Sequence, residues 1–279
     1  MLAFAYDGSL NGDWVAHYAV RFAAGMPARR LRLLHVHDGA PAADLSPRIA
    51  RIADECARLG VTLAPELHAA AGAAVAERLL ALVPPGPETM LVVGTRAKPR
   101  NLAFLAGTVS ARLLAAAQCP VVAIRVVQPG VLGQPGRVLL PLAGHPRGAR
   151  SAHPLLRLLA PDLRELHVLL VRELSRLRYR LLRAATARRL LEEGRAFVAR
   201  VEDEVARALA GHAVALDGSV VVSDDAVKEI LVVAARLHSR LVCLGASERS
   251  LPQRLAYGNP IEQVLRDAPC DVAVYRSVD

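Results

Sequence analysis

The sequence predicts an α/β protein made of two tandem, doubly wound domains, each a parallel sheet covered by helices on both faces. Three observations carry this. Short, nearly all-apolar runs alternate with segments of helical period, the pattern of strands buried on both faces. Landmarks of the first half recur in the second: "AYDGS" (5–9) and "LAGHP" (142–146) each follow an apolar run, and "CPVVAIR" (119–125) returns as "CDVAVYR" (270–276). The offset between copies is 151 at Gly94/Gly245, Gly107/Gly258 and Cys119/Cys270 alike, and a constant step over three landmarks marks a repeat. Nearer the start of each copy the offset is 136 at Asp7/Ala143 and 132 at His35/His167, the latter pairing "LLHVH" with "ELHVL".

In the first copy, "LAFAY" (2–6) reads as a strand, and Asn11 is placed to cap a helix running to about Met26. "LRLLHV" (31–36) is a strand, 46–60 a helix and "VTLAPELH" (61–68) a strand. A helix over 72–83, a strand "TMLVVG" (89–94), a helix over 107–118 and a last strand "VVAIR" (121–125) complete the copy. "VQPGVLGQPG" (127–136), rich in Pro and Gly, reads as the linker, so the domains are expected at 1–127 and 137–279. The second copy gains its extra length around an Arg-rich helical pattern at about 180–211. The two apolar last strands are expected to pack together, because uncovered edges of that kind invite pairing. A pseudo-symmetric pair of domains follows.

Composition narrows the function. At 279 residues and 53% apolar content the chain can build a large core. "ILVVAA" (230–235) is stopped by Arg236, and no run reaches the ~18 apolar residues of a membrane span. "MLAFAYDGS" lacks a basic leader and meets Asp7 at once, so a cytoplasmic protein is expected. Cys56, Cys119, Cys243 and Cys270 lie far apart with no C-x-x-C pair, which argues for buried free thiols. The net charge is +9, and 33 of the 35 basic residues are Arg. With so few aromatics to stack on bases, nucleic acid is not expected as a partner.

In a doubly wound sheet, ligands bind beyond the carboxyl ends of the strands, where the strand order reverses. Asp7 lies just past the first strand and Gly94 just past the fourth. Gly107-Thr108 opens a helix, whose free N–H groups and positive dipole end suit a phosphate. Arg96, Lys98 and Arg100 lie between and carry positive charge. Asp7 is placed to accept from an amino group or a ribose hydroxyl. Together these parts describe a nucleotide site, although the spacing is neither G-x-G-x-x-G nor the P-loop pattern.

Strand-"YDGS", "LLHV", and G-x2-G-x9-G-[ST] followed by "CPVVAIR" resemble the universal stress protein family over nearly the whole chain, as two tandem domains. The resemblance implies a five-stranded parallel sheet in the order 3-2-1-4-5 and no catalytic turnover. It implies binding of ATP or another adenine nucleotide, with or without Mg, in the first domain. The site residues it implies are Asp7 and the Val36 backbone for adenine, with Gly94, Arg96, Gly107, Thr108, Val109 and Ser110 for ribose and phosphates. It implies a stress-response role exercised through a protein partner that the sequence does not name, and a homo-oligomer. The second motif glycine is Ala97 here, at a cost of about 1 kcal/mol if that position needs φ > 0. The second copy departs further, with Ala143, Glu248 and Asn259 at the aspartate, second-glycine and hydroxyl positions. Its "GNPIEQVLRDAPCDV" also resembles universal-stress-type domains attached to membrane transporters, so a ligand-free scaffold or transporter regulator is the alternative.

Other candidates are weaker. His35 and His37 share one face of a strand and could form a metal pair, but a packing role is expected, and no metal site is assigned. Asp224-Asp225 ahead of "AVKEIL" is explained by helix capping. Ser9, His17 and Asp7 evoke a triad without a G-x-S-x-G elbow. "VRELSRLRYRLLRAATARR" (171–189) is the best anion-binding segment outside the crevice, against a plain solvated helix face.

Overall fold

The computed structural model describes residues 1–37, 45–95, 107–142, 144, 147–246 and 259–278. The first half runs β1 (Leu2–Ala5), α1 (Leu10–Gly25), β2 (Arg30–His37), α2 (Ser46–Arg58), β3 (Thr62–Ala69), α3 (Val75–Leu82), β4 (Met90–Gly94), α4 (Val109–Ala116) and β5 (Val121–Arg125). The second runs β6 (Arg137–Leu142), α5 (Arg147–Leu159), β7 (Glu165–Glu173), α6 (Arg176–Arg180), α7 (Ala184–Ala208), β8 (Ala215–Ser223), α8 (Ala226–Arg236), β9 (Leu241–Gly245), α9 (Pro260–Asp267) and β10 (Asp271–Arg276). All ten strands join one sheet in the order β3-β2-β1-β4-β5-β10-β9-β6-β7-β8. Each half is thus parallel in the order 3-2-1-4-5, and the two meet where β5 and β10 pair antiparallel, Val121 opposite Arg276 and Arg125 opposite Val272. The continuous sheet carries an internal pseudo-two-fold at that junction, as the apolar last strands lead one to expect.

Burial on both faces explains the strand composition. On one face Leu2, Phe4, Leu33 and Leu140 pack under α1, α5 and α7 through Tyr18, Phe22, Leu156 and Val201. On the other, Ala3, Leu34, Leu91 and Val272 pack under α3, α4, α8 and α9 through Leu79, Leu113, Val233 and Leu265. Both layers run unbroken across the junction, so the halves share their core.

Polar contacts lock the junction. Asp271, fully buried at the start of β10, accepts from the Tyr18 hydroxyl of α1 (2.6 Å) and from the linker amides of Val127 (2.7 Å) and Gln128 (2.9 Å). Arg276 donates to the carbonyls of Leu114 (2.8 Å) and Ala117 (3.1 Å), buried acceptors at the end of α4. Arg21 pairs with Asp162 at 3.0 Å. The linker crosses α1 so closely that a Cβ at Gly133 would sit 2.8 Å from the His17 backbone, and Gly133 also holds φ +69°, so glycine is required there twice over.

Two readings of the sequence are corrected. Ser9, not Asn11, caps α1: its backbone is extended and its hydroxyl accepts from the Gly12 amide (3.0 Å), whereas Asn11 already lies in the first turn. His35 and His167 are not equivalent. Leu2 lies opposite Leu31 and its counterpart Val138 opposite Leu166, which puts His167 in the place of Arg32 and on the other face of the sheet from His35. The shared "LHV" triplet is a coincidence three residues out of register. The extra length of the second half lies in α6, the 25-residue α7 and the nine-residue strands β7 and β8.

Candidate functional site

The strand order reverses between β1 and β4, which lie side by side with Ala5 opposite Val93. Asp7 and Gly94 therefore border the same crevice, as the reversal point requires. β2 runs on to His37, past the last paired residue of β1, and carries the Val36 backbone along the crevice wall. The Asp7 side chain is held in place: its Oδ1 accepts from the Ser9 amide (3.0 Å) and hydroxyl (2.6 Å). A Cβ at Gly12 would come within 2.6 Å of that same oxygen, so the carboxylate lies against the first turn of α1. Gly94 has a packing reason of its own, because a Cβ there would meet Asn11 Nδ2 at 3.0 Å and Val15 Cγ2 at 3.4 Å.

Gly107 holds φ +71°, and no atom of the described residues would lie within 4 Å of a Cβ there. Thr108 then caps α4. Its Oγ1 accepts from the Ala111 amide (3.1 Å) and lies 3.0 Å from the Ser110 hydroxyl. The cap leaves the amides of Val109 and Ser110 without intrahelical acceptors at the helix start. Ser110 is buried and Val109 is 36% exposed. Of the eight expected residues, Asp7 and Gly94 thus stand at the strand ends, Gly107, Thr108, Val109 and Ser110 at the start of α4, and Val36 on β2. Arg96, with Ala97, Lys98, Pro99 and Arg100, lies outside the described residues.

The second half is built differently at the same place. Ala143, Glu248 and Gly258 lie outside the described residues, but their neighbours are informative. A Cβ at Gly245 would sit 3.1 Å from the hydroxyl of Tyr275, its partner on β10, and this tyrosine is 4% exposed and hydrogen-bonded to Ser151 of α5. The equivalent partner of Gly94 is Ile124, an aliphatic side chain with no hydroxyl to bridge strand and helix. Asn259 caps α9 through the Ile261 amide (2.9 Å), and Pro260 at the first helical position has no N–H to offer. Ala246 stands where the first half has Thr95, whose buried hydroxyl has no hydrogen-bond partner among the described residues.

Sequence reasoning named Ser9 only as a triad candidate and missed its role as cap and anchor, and it missed Gly12, Thr95 and Tyr275. It also missed the brace behind Asp7, where the Tyr6 hydroxyl donates to Asp13 Oδ1 (2.5 Å) and Arg48 of α2 pairs with the same carboxylate. Burial first, and then this hydrogen bond, hold the Tyr6 phenol well above its ordinary value. A Ser directly after the "DG" and just ahead of the helix is a local signal that could have marked Ser9 as the cap, whereas nothing local marks Tyr275, whose role depends on strand register. The triad is absent from the geometry, since His17 Nδ1 bonds to Glu55 (2.8 Å). His35 is a packed side chain bonded through Nδ1 to the Tyr6 carbonyl (2.9 Å), and no cluster of three or more metal-ligating side chains occurs among the described residues. All four cysteines are free and buried; burial pushes the Cys56 thiol up to about 11 and the Cys270 thiol up to about 12.

The sequence profile of the universal stress protein family matches residues 2–125 and again 135–276. The chain belongs to the universal stress protein family. Among solved structures, a universal stress protein from Archaeoglobus fulgidus DSM 4304 superimposes with a TM-score of 0.63 at 17% identity, over 100% of this chain and 98% of its own. The cytoplasmic domain of a prokaryotic cation chloride cotransporter is similar at a TM-score of 0.62 and 12% identity, over 99% of this chain and 95% of its own. At such identities these likenesses speak for the fold alone. A sequence search of curated proteins finds no match. Among the described residues, no helix of this universal stress protein is long and apolar enough to cross a membrane.

Proposed function

We propose that this universal stress protein binds one adenine nucleotide per chain, ATP or a close relative with or without Mg, in the Asp7 crevice of residues 1–127. It acts in the cytoplasm in stress response through partner proteins rather than by turnover. The observation that carries the reading is the contrast between the two strand-reversal points. The first keeps a carboxylate fixed by Ser9, a left-handed glycine with no described atom within 4 Å of its Cβ position, and two helix-start amides. The second replaces one helix-start amide by Pro260 and sets Tyr275 against Gly245. A base or ribose donor would meet Asp7 and the Val36 backbone, and the phosphates would meet the start of α4. Equilibrium binding of ATP, AMP and cyclic AMP to the purified chain tests this. Saturable binding of at least one supports it, and no binding of any overturns it.

A second reading is favoured by the Tyr275 hydroxyl set against Gly245 in the second half and by the fold shared with a cotransporter's cytoplasmic domain. In it the chain is a scaffold or transporter regulator whose two crevices are both vestigial. The same assay separates the two, because a scaffold binds no nucleotide.

A further inference from the structure

The second half carries an exposed turn, between β7 and α7, that the nucleotide reading does not use. Between β7 and α7, residues 175–181 are all exposed in an unbroken row. Within them Leu177 is 68% exposed, Tyr179 41% and Leu181 70%, while Arg176, Arg178 and Arg180 alternate with them. From 176 to 189 the chain holds six arginines and no acidic residue. Arg189 pairs with Glu193 (3.7 Å), and the other five have no ion pair among the described residues. The short helix α6 is closed by Ser175, whose hydroxyl accepts from the Arg178 amide, so the segment holds a defined shape while packing little of itself away.

We propose that this exposed turn docks on an anionic lipid bilayer. Two large aliphatic side chains and a tyrosine held out in water among arginines match the composition of interfacial membrane anchors, in which apolar tips enter the headgroup boundary and cations meet lipid phosphates. Nucleic acid fits less well, because the exposed leucines have no base to stack on and one tyrosine is a small platform. An acidic protein partner would have to match the outline of this exposed turn, whereas a bilayer accepts one of any outline. The position also suits docking. β5 and β10 run antiparallel, so the carboxyl ends of the strands in the second half, where α6 begins, point away from those of the first half. A membrane met by α6 leaves the Asp7 crevice open on the far end of the sheet.

Co-sedimentation of the full chain with vesicles tests the proposal, using phosphatidylcholine alone and phosphatidylcholine with about one-third phosphatidylserine. Binding is expected to the anionic vesicles and not to the neutral ones. The triple change Arg176→Ser, Arg178→Ser, Arg180→Ser should lower the partition constant about 100-fold. A control of equal charge, Arg51→Ser, Arg58→Ser, Arg207→Ser, removes three exposed arginines elsewhere and should lower it less than about threefold. Leu177→Ser with Leu181→Ser leaves the charge intact and should lower it about tenfold. All these positions are exposed, and an unchanged urea midpoint confirms that each variant is folded; should one triple misfold, the leucine pair decides independently. No binding to anionic vesicles overturns the proposal. So does an equal loss in the control triple, or full binding by the leucine pair. Tighter binding to duplex DNA than to anionic vesicles, lost with the α6 arginines, assigns the surface to nucleic acid and also overturns it.

Discussion

Replacing Asp271 by alanine strands three hydrogen-bond donors at the place where the two halves join. The carboxylate is fully buried and accepts from Tyr18, Val127 and Gln128 at 2.6, 2.7 and 2.9 Å. A buried donor left without an acceptor costs about 1–3 kcal/mol. Tyr18 is fully buried and takes the upper part of that range, whereas the partly buried linker amides can reach water and take the lower part. Asp271→Ala should therefore lower the unfolding free energy by about 3–6 kcal/mol, a large share of a typical domain's 5–15 kcal/mol. Tyr18→Phe leaves the two amide bonds in place and should cost about 1–2 kcal/mol. Asp271→Asn keeps the size and one acceptor oxygen, so its cost should fall well below that of alanine. The pH dependence gives a further check. Burial holds the Asp271 carboxyl above the ordinary carboxylate range, against the opposing pull of Tyr18, the linker amides and Arg125. Between the ordinary aspartate value and that raised one, the folded chain holds more protons than the unfolded chain, so this group's contribution to stability falls as pH rises through the window. Asp271→Asn lacks the step, and the stability gap between parent and variant should narrow as pH rises there. Urea unfolding at a series of pH values measures all of this. An Asp271→Ala variant within about 0.5 kcal/mol of the parent would refute the reasoning.

Ser9→Ala removes both the cap of α1 and the anchor of Asp7, so it should cost about 1 kcal/mol of stability by urea unfolding and also weaken nucleotide binding. A loss of stability with unchanged affinity would show that Asp7 needs no anchor. The four buried thiols should resist a disulfide reagent in the native state at pH 8 and react together on unfolding, because burial raises Cys56, Cys119, Cys243 and Cys270 alike. Fast labelling of any one in the folded chain counts against the shared core.

Much of the fold is legible because the strands are short, apolar and buried on both faces, which leaves one period to read. Each of the five strands and four helices expected in the first half is found, with ends shifted by up to three residues. The pairing of "VVAIR" with "VAVYR" could be read from two largely apolar edges that each needed a cover. What stayed hidden depends on register and distance. His35 and His167 were matched by a local triplet, and only the pairing of β1 with β2 and of β6 with β7 separates them. Asp271 meets Tyr18 across 253 residues, and no local pattern encodes such a contact. Asp7 and Gly94 stood out because a carboxylate or a glycine just past a strand is conspicuous, and Gly107 because it opens a helix. Thr95 and Tyr275 did not, since a lone hydroxyl or ring inside an apolar run gains meaning only from the opposite wall.

The most direct test of the central claim is the stoichiometry of ATP on the parent and on Asp7→Ala, by equilibrium dialysis of the full chain. One equivalent per chain is expected for the parent. Asp7→Ala should weaken it by roughly 1.5–3 kcal/mol, about 10- to 160-fold, through loss of a charge-assisted hydrogen bond. Two equivalents per chain, or an Asp7→Ala variant that binds as tightly as the parent, would contradict the account.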